Sequence, residues 1–404
     1  MKKKLKILRK GSSKMSHDLI YMNNAATSFP KFEETVATMN DALVQGDIFS
    51  NRDSIDASNV SARIFGLRSQ ISQMIGAREP HNICLTCSDS LALNILIQGL
   101  DIDFEKPTII FTTPFEHNSV ARPLEHISDG YRGAKIKLIP FKDGRVLHEK
   151  LREEIRHSIE FGYHIAGAVC SHGSNVTGDV IDLTVLGKIF YENNIPFIVD
   201  VAQTLGIVPI NVEKAHIAAL AFAGHKCLNG PQGTGGFYIR DTLPMKPLLF
   251  GGTGNNSGEI SPPIIRPDAF EVGTPAIHDL LGLSASISVI TDKIGVRKYR
   301  EKILSLAQYL YARLEEVPNI ILYGKKEKKT PVVAFNIEGI DCFKVGQYLA
   351  QFNIVCRTGI HCAAYTMKTL ELEPFGGSVR LSLGYANTKE EVDFVVEKLK
   401  MFSC

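Results

Sequence analysis

Between residues 82 and 222 short apolar runs alternate with amphipathic stretches, and this alternation constrains the fold more than any single residue does. Strand-like runs fall at 82–86, 108–112, 134–139, 165–171, 196–201 and 218–222, and helical spacing fills 91–100, 120–127, 147–161 and 182–193. Strands separated by helices need crossover connections. The pattern therefore predicts an α/β fold whose large domain holds a mainly parallel sheet covered by helices on both faces. In such sheets ligands gather where the carboxyl ends of the strands open into loops. The polar residues that stand out sit there: His117 after 108–112, Asn175 after 165–171, Asp200 and Gln203 at the end of 196–201, and Lys226 after 218–222. Successive strands thus deliver His, Asn, Asp and Lys to one rim.

Lys226 lies between an apolar run, 217–222, and the glycine-dense turn Gly230-Pro-Gln-Gly-Thr-Gly235. An amine would sit there at a tight bend beside buried structure, where a Schiff-base lysine is wanted. An ordinary lysine titrates at about 10.4 and is a poor nucleophile at neutral pH; desolvation and cationic neighbours activate such an amine, and His225 is one such neighbour. Read alone, Gly224-His-Lys226 is a surface lysine in a loop, and its company on the rim is what gives it a role. Upstream, the run 82–86 feeds Ser88-Asp-Ser90 into a helix. That is the layout of an anion cradle at a helix N-terminus and equally of an ordinary N-cap.

Lys plus Arg (45) balance Asp plus Glu (43), which leaves no excess charge to attract nucleic acid. No apolar run approaches the roughly eighteen residues of a membrane span. Three segments are expected. Residues 1–18 form a basic tail, read as disordered; it holds Lys2, Lys3, Lys4, Lys6, Arg9, Lys10 and Lys14, lacks the apolar stretch of a signal peptide, and offers Met15 as a second start. Residues 19–265 form the large domain, and after a stretch rich in Gly, Pro and Asn, residues 266–404 form a smaller α/β C-terminal domain. The latter carries a long helix near 276–293, an edge strand at 354–357, a strand at 376–382 and a closing helix from 389 capped by Thr388. Eight scattered cysteines with no secretion signal point to a reducing cytoplasm. Cys84-Leu-Thr-Cys87 has no second pair and reads as two half-buried cysteines rather than a metal site, so no metal is expected.

A Schiff-base lysine, an aspartate able to pair a pyridinium nitrogen and a histidine able to stack on a ring together describe a site for pyridoxal 5'-phosphate. Other stretches extend the pattern: Tyr21-Met-Asn-Asn-Ala-Ala-Thr-Ser28, Glu116-His-Asn118, Ser174-Asn-Val-Thr-Gly178, Asp200-Val-Ala-Gln203, Gly251-Gly-Thr-Gly254 and Phe270-Glu-Val-Gly-Thr-Pro275. Arg357-Thr-Gly-Ile-His-Cys-Ala363 and Val379-Arg-Leu-Ser382 with Asn387-Thr388 complete it. In order and spacing these motifs resemble the class V aminotransferase-fold enzymes of the cysteine desulfurase type, over about residues 19–399. The context of Cys362 resembles the group II desulfurases, which usually hand sulfur to a dedicated acceptor protein.

That resemblance implies the fold type I of pyridoxal-phosphate-dependent transferases, a homodimer, and L-cysteine as substrate. Lys226 would hold the cofactor and move protons, Asp200 would bind the pyridine nitrogen, Gln203 the phenolic oxygen, and His117 would stack on the ring and assist proton transfer. Ser90 and His225 would hold the phosphate, joined by Thr274 of a second subunit. Arg380 would pair with the substrate carboxylate, with Asn175, Arg357, Asn24 and Ala25 around the substrate. Cys362 would attack the substrate sulfur, leaving alanine and a persulfide, with His361 and Arg357 favouring its nucleophilic form. A related carbon–sulfur or selenocysteine lyase, acting on a modified cysteine without a lasting persulfide, is the alternative, and a non-catalytic homologue is a third reading. This chain also departs from the family at Asp89, Ser90, Leu91 and Ala223, and has Asn23 for a usual Asp, Ala276 for a usual Asn and Ile360 for a frequent His. A carboxylate beside a phosphate is repulsive, so Asp89 is expected to weaken the anchoring or to turn outward.

Overall fold

The structure, a computed structural model, describes residues 19–45, 55–103, 105–130, 134–142, 144–254, 258–327 and 329–403. The basic front and residues 255–257 of the glycine-rich loop lie outside them. Seven strands form one sheet in the order Ile83–Thr86, Gly235–Ile239, Ala219–Ala223, Phe197–Asp200, His164–Ser171, Thr108–Thr112, Ala134–Leu138. Only Gly235–Ile239 runs antiparallel to its neighbours; the other pairings are parallel. It follows Ala219–Ala223 after a turn too short for a crossover, which forces the reversal. The sequence reading left this strand inside the glycine-dense turn. Its glycines answer to crowding instead, because a Cβ on Gly236 would lie 2.4 Å from Cys84 O and one on Gly235 2.7 Å from Asp89 N.

Successive side chains of a strand face opposite ways, so each strand feeds two cores. Phe197 and Val199 enter one, with Phe111 and Phe222, against the helices Ile55–Ile75, Leu183–Glu192 and Ile277–Ser288. Ile198, Ile110 and Ala221 enter the other, against Asp89–Gln98 and Asn118–Gly130. Burial on both faces is why these strands are continuous apolar runs.

A four-stranded antiparallel sheet follows, ordered Ile320–Tyr323, Val332–Ile337, Ser378–Ser382, Arg357–Gly359. Val379 and Leu381 point into its core, against the helices Val296–Leu314, Cys342–Ala350 and Lys389–Ser403. Arg380, between them, points the other way, toward the rim of the larger sheet, where its Nη1 donates to Asn175 O at 2.8 Å. The closing helix opens with a capping box: Glu391 N–H donates to Thr388 Oγ1 at 3.3 Å and Thr388 N–H to the Glu391 carboxylate at 3.1 Å.

Two segments cross the division expected near residue 265. Ile20–Tyr21 pairs in parallel with Ile354–Val355, and Ile20 and Met22 join the core of the smaller sheet. Ile277–Ser288 sends Leu280, Leu283 and Ile287 into a core of the larger one. The single helix expected to 293 changes to a π-helix, Val289–Ile294, and stops at Gly295 with φ +86°. Periodicity shows which face of an element is apolar, and does not show which core that face meets. No helix among the described residues is long and apolar enough to cross a membrane.

Phe190 is fully buried between Phe111 and Phe197, with ring centroids 6.4 and 5.2 Å away. Phe190→Ala leaves a ring-sized void and is expected to cost about 3–5 kcal/mol. Chemical unfolding checks this: the midpoint should drop clearly, and an unchanged midpoint would contradict the packing.

Candidate active site

The strand Ala219–Ala223 ends at Gly224, where a Cβ would come within 2.2 Å of Thr234 Oγ1. Gly224 N–H donates to Thr234 O and Gly230 N–H to Gly224 O, both at 2.9 Å, which closes the turn that carries Lys226. The peptide before the lysine is pinned by four donors. His225 O accepts from Ser28 N–H (3.0 Å), Ser28 Oγ (3.1 Å), Thr27 Oγ1 (3.3 Å) and Lys31 Nζ (3.1 Å). The Ala-Ala-Thr-Ser turn near the front of the chain therefore buttresses the lysine loop, and burial pushes Lys31 down to about 8.

Lys226 lines a cavity of about 230 Å³ together with Ala25, Ser90, His117, Asn175, Gln203, His225, Arg357 and Arg380. Asp200 lies against it, near enough for the Lys226 charge to oppose the rise that burial imposes on its carboxyl. Asp200 Oδ1 accepts from Ala202 N–H at 2.8 Å, and Oδ2 lies 3.4 Å from Ser171 Oγ, whose hydroxyl donates at 2.6 Å to Glu116. Gln203 Nε2 donates to Ala25 O at 3.0 Å. His117 Nδ1 accepts from Ser119 N–H at 3.1 Å, which assigns the proton of the neutral ring to Nε2. Burial first, then the charges of Lys226, Arg357 and Arg380, push His117 down to about 3. Ser119 Oγ also bonds His117 Nδ1 at 2.9 Å and Ser90 Oγ at 2.7 Å, joining the phosphate end of the expected site to the histidine.

Cys362 stands on a turn in which it and His361 are both left-handed, with φ +57° and +55°. Asn118 N–H donates to Cys362 O at 2.7 Å and Asn175 Nδ2 to His361 O at 2.8 Å, so loops of the larger sheet hold the turn. Arg357 Nη2 donates to Cys362 Sγ at 3.0 Å. His361 does not share that work. Its Nε2 bonds Ser378 at 2.9–3.0 Å, the ring is 1% exposed, and burial pushes it down to about 3, so it pins the turn as a neutral group. Arg380 is equally buried; Nη1 goes to Asn175 O and Nη2 to Asn23 Oδ1 at 3.0 Å, while Nε has no partner. Asn23, where a carboxylate was expected, leaves this guanidinium unneutralised, and burial followed by the Arg357 charge lowers it to about 9.

Some expected residues stand elsewhere. Asn24 is held by structure, with Nδ2 on Ser382 O at 3.1 Å and Oδ1 accepting from Phe29 N–H at 3.1 Å; it lines not the 230 Å³ cavity but a smaller one of about 20 Å³, which Lys226, Ala25 and Gln203 also line. Asn175 lines the cavity, but its Nδ2 serves His361. Thr274 lines a separate cavity of about 490 Å³ and does not meet Lys226 within one chain. Cys84 is buried and Cys87 exposed. Asp89 has not turned outward: it is 8% exposed and lines the lysine cavity. Sequence reasoning missed Ser119, and saw Glu116 only as part of a motif. Glu116 accepts from Thr113 and Ser171 beside Asp200, and burial pushes it up to about 7.

Asp89 Oδ1, His225 Nδ1 and Arg380 Nε are buried without partners, and all three residues line the cavity. Unused donors beside an amine and an ionisable aspartate fit an anionic, ring-bearing guest of the pyridoxal-phosphate type. Fold and site together define the fold type I class of pyridoxal-phosphate enzymes. The aminotransferase class-V family profile matches residues 20–395. The chain is 31% identical over 390 residues to a probable cysteine desulfurase of Pyrococcus abyssi, covering 94% of this chain and 93% of that one. It is 26% identical over 350 residues to a cysteine desulfurase of Escherichia coli, covering 85% and 83%. The apo cysteine desulfurase of Thermococcus onnurineus superimposes with a TM-score of 0.86 at 28% identity, over 95% of this chain and 94% of that one. This chain belongs to the class-V aminotransferase family, in its cysteine desulfurase branch.

His117, His172 and His361 are each pushed down to about 3 and His225 to about 4, with burial the largest cause in each. The unfolded chain protonates such rings below about 6.5 while the folded one keeps them neutral. Each ring therefore contributes stability that is present above that pH and lost as pH falls toward 3 or 4. Imidazole resonances assigned to His117, His172 and His361 should stay in the neutral form from pH 8 to 5. A midpoint near 6.5 for any of them would refute its placement.

Proposed function

We propose that the chain is a pyridoxal-phosphate-dependent cysteine desulfurase. Working as a homodimer, it takes sulfur from L-cysteine, releases L-alanine and keeps the sulfur as a persulfide on Cys362 for an acceptor protein. The observation that carries this is the place of Cys362, whose Sγ lies 3.0 Å from Arg357 Nη2 while Arg357 lines the Lys226 cavity. A thiol held by a guanidinium at the edge of such a cavity is placed to receive sulfur.

When bound, pyridoxal phosphate supplies an aldehyde for covalent capture of an amino acid and a ring that accepts electron density. The chain supplies the rest. Arg380, a buried cation with no carboxylate in ion-pair range among the described residues, attracts the substrate carboxylate and so orients the side chain toward Cys362. Asp200 holds its charge on the Ala202 N–H and would keep the ring nitrogen protonated, with Gln203 at the phenolic oxygen. Lys226 would carry the proton to and from the α-carbon, and neutral His117, with its proton on Nε2, would lie against the ring and exchange a proton there. The Cys362 thiolate attacks the substrate sulfur; a sulfur–sulfur bond forms as the carbon–sulfur bond breaks, and the carbon takes up a proton to leave as alanine. Thr274, away from its own chain's lysine, is assigned to the partner protomer's phosphate.

Incubation with L-cysteine should yield alanine, with mass spectrometry finding an added sulfur on the Cys362 peptide. Lys226→Ala should lower turnover by about 10²–10⁴-fold, and Cys362→Ala should lose both turnover and label. Arg380→Lys, which cannot grip a carboxylate with two donors, should raise KM by about tenfold. Borohydride treatment of holoenzyme should mark Lys226. Pyruvate and ammonia in place of alanine, or full turnover by Cys362→Ala, would sink the assignment.

A further inference from the structure

Asp89 is the first residue of the helix Asp89–Gln98, after the N-cap Ser88, and it lines the same cavity as Ser90, His225 and Lys226. It is 8% exposed and its Oδ1 has no hydrogen-bond partner. The charges that act on it are Asp200 and Lys226; Asp200 in turn acts on Glu116, and His117, His225, Arg357 and Arg380 stand on the cavity wall. Two buried carboxyls whose charges act on each other resist ionising together, and the one with fewer donors is the one that keeps its proton. Asp200 has the Ala202 N–H at 2.8 Å to hold its charge, whereas Asp89 Oδ1 has no donor at all. Burial, then the Asp200 charge, accordingly hold Asp89 well above the usual carboxylate range against the opposing pull of Lys226.

A helix N-terminus flanked by a serine hydroxyl and a histidine is an anion seat, and the cofactor phosphate reading of Ser90 and His225 puts an anion there. A carboxyl can share that seat in only one form. Protonated, it donates a hydrogen bond to an anionic oxygen; ionised, it accepts only and repels. We propose that Asp89 is a neutral, proton-carrying acid of the phosphate seat, so that the enzyme holds its cofactor phosphate only while Asp89 keeps its proton. This rests on the pyridoxal-phosphate reading of the cavity. Binding of the phosphate then requires a bound proton. Its affinity falls as pH rises through the titration of Asp89, toward a limit of about tenfold per pH unit. Asparagine at this position removes the charge and keeps a donor of the same shape.

The test titrates apoenzyme between pH 6.5 and 9 with pyridoxal phosphate, inorganic phosphate and pyridoxal, in the wild type, Asp89→Asn and Asp89→Ala, each shown to be folded by thermal melting. The wild type should lose affinity for both phosphates with rising pH, by about tenfold per unit at the upper end. Asp89→Asn should hold them with a much flatter profile, and Asp89→Ala with a flat but weaker one. Pyridoxal, lacking the phosphate, should give one profile in all three. Parallel slopes in wild type and either variant would overturn the proposal, as would an equal effect on pyridoxal. Failure of every variant to bind pyridoxal phosphate, with Lys226 unmarked by borohydride, would overturn the cofactor reading and the proposal together.

Discussion

Buried, unbalanced charge is the constraint on which this site depends. Arg380 is 1% exposed and rests on a backbone carbonyl and an asparagine oxygen, and Lys226, Arg357 and Asp89 line the same cavity. Taking an ion out of water costs several kcal/mol unless partners replace the solvent. Nothing in the smaller sheet's own core provides one. The strand Ser378–Ser382 alternates, and the residue that cannot enter the core is driven toward the loops of the other sheet. The bond from Arg380 to Asn175 O thus joins the two sheets at the point where an anionic substrate would complete the charge balance.

The same economy governs the loops. Lys226 and Cys362 both stand on irregular backbone, and each is held by bonds from a distant part of the chain. The lysine loop leans on Thr27, Ser28 and Lys31 through one carbonyl. The cysteine turn, with two consecutive left-handed residues, leans on Asn118, Asn175 and Ser378. Backbone of that kind costs on the order of 1–3 kcal/mol per residue and persists only where its surroundings over-determine it. Ile360, 56% exposed beside the turn, places this backbone at the surface of the chain.

Much of this was legible in the residues. The rim of His117, Asn175, Asp200, Gln203 and Lys226 followed from strand ends, because a parallel sheet puts all its carboxyl ends on one side. Other points were not. Asn24 reads as a substrate ligand within its motif, and which bonds hold it was not legible: its amide is tied to Ser382 and Phe29 beside a small cavity that Lys226 also lines. His361 reads as an activator of the adjacent thiol, yet the left-handed turn swings its ring to Ser378. Asp89 reads as a residue that weakens the anchoring or turns outward, and the structure shows it at the start of a helix, 8% exposed and not turned outward. Adjacency along the chain says little about direction where the backbone leaves regular structure.

The sequence by itself determined the parallel α/β sheet, the residues delivered to its rim, and the chemistry that a histidine, an aspartate, a lysine, an arginine and a cysteine in that order can perform. These depend on local periodicity and residue type, which any window of the chain displays. Only the tertiary structure decided that Ile20–Tyr21 belongs with the smaller sheet, that Ser119 links Ser90 to His117, and that the Asp200 charge acts on Asp89. Apart from the local Ser119–His117 bond, those facts concern pairs of residues far apart in the chain, and their distances are set by how the two sheets and their covering helices pack.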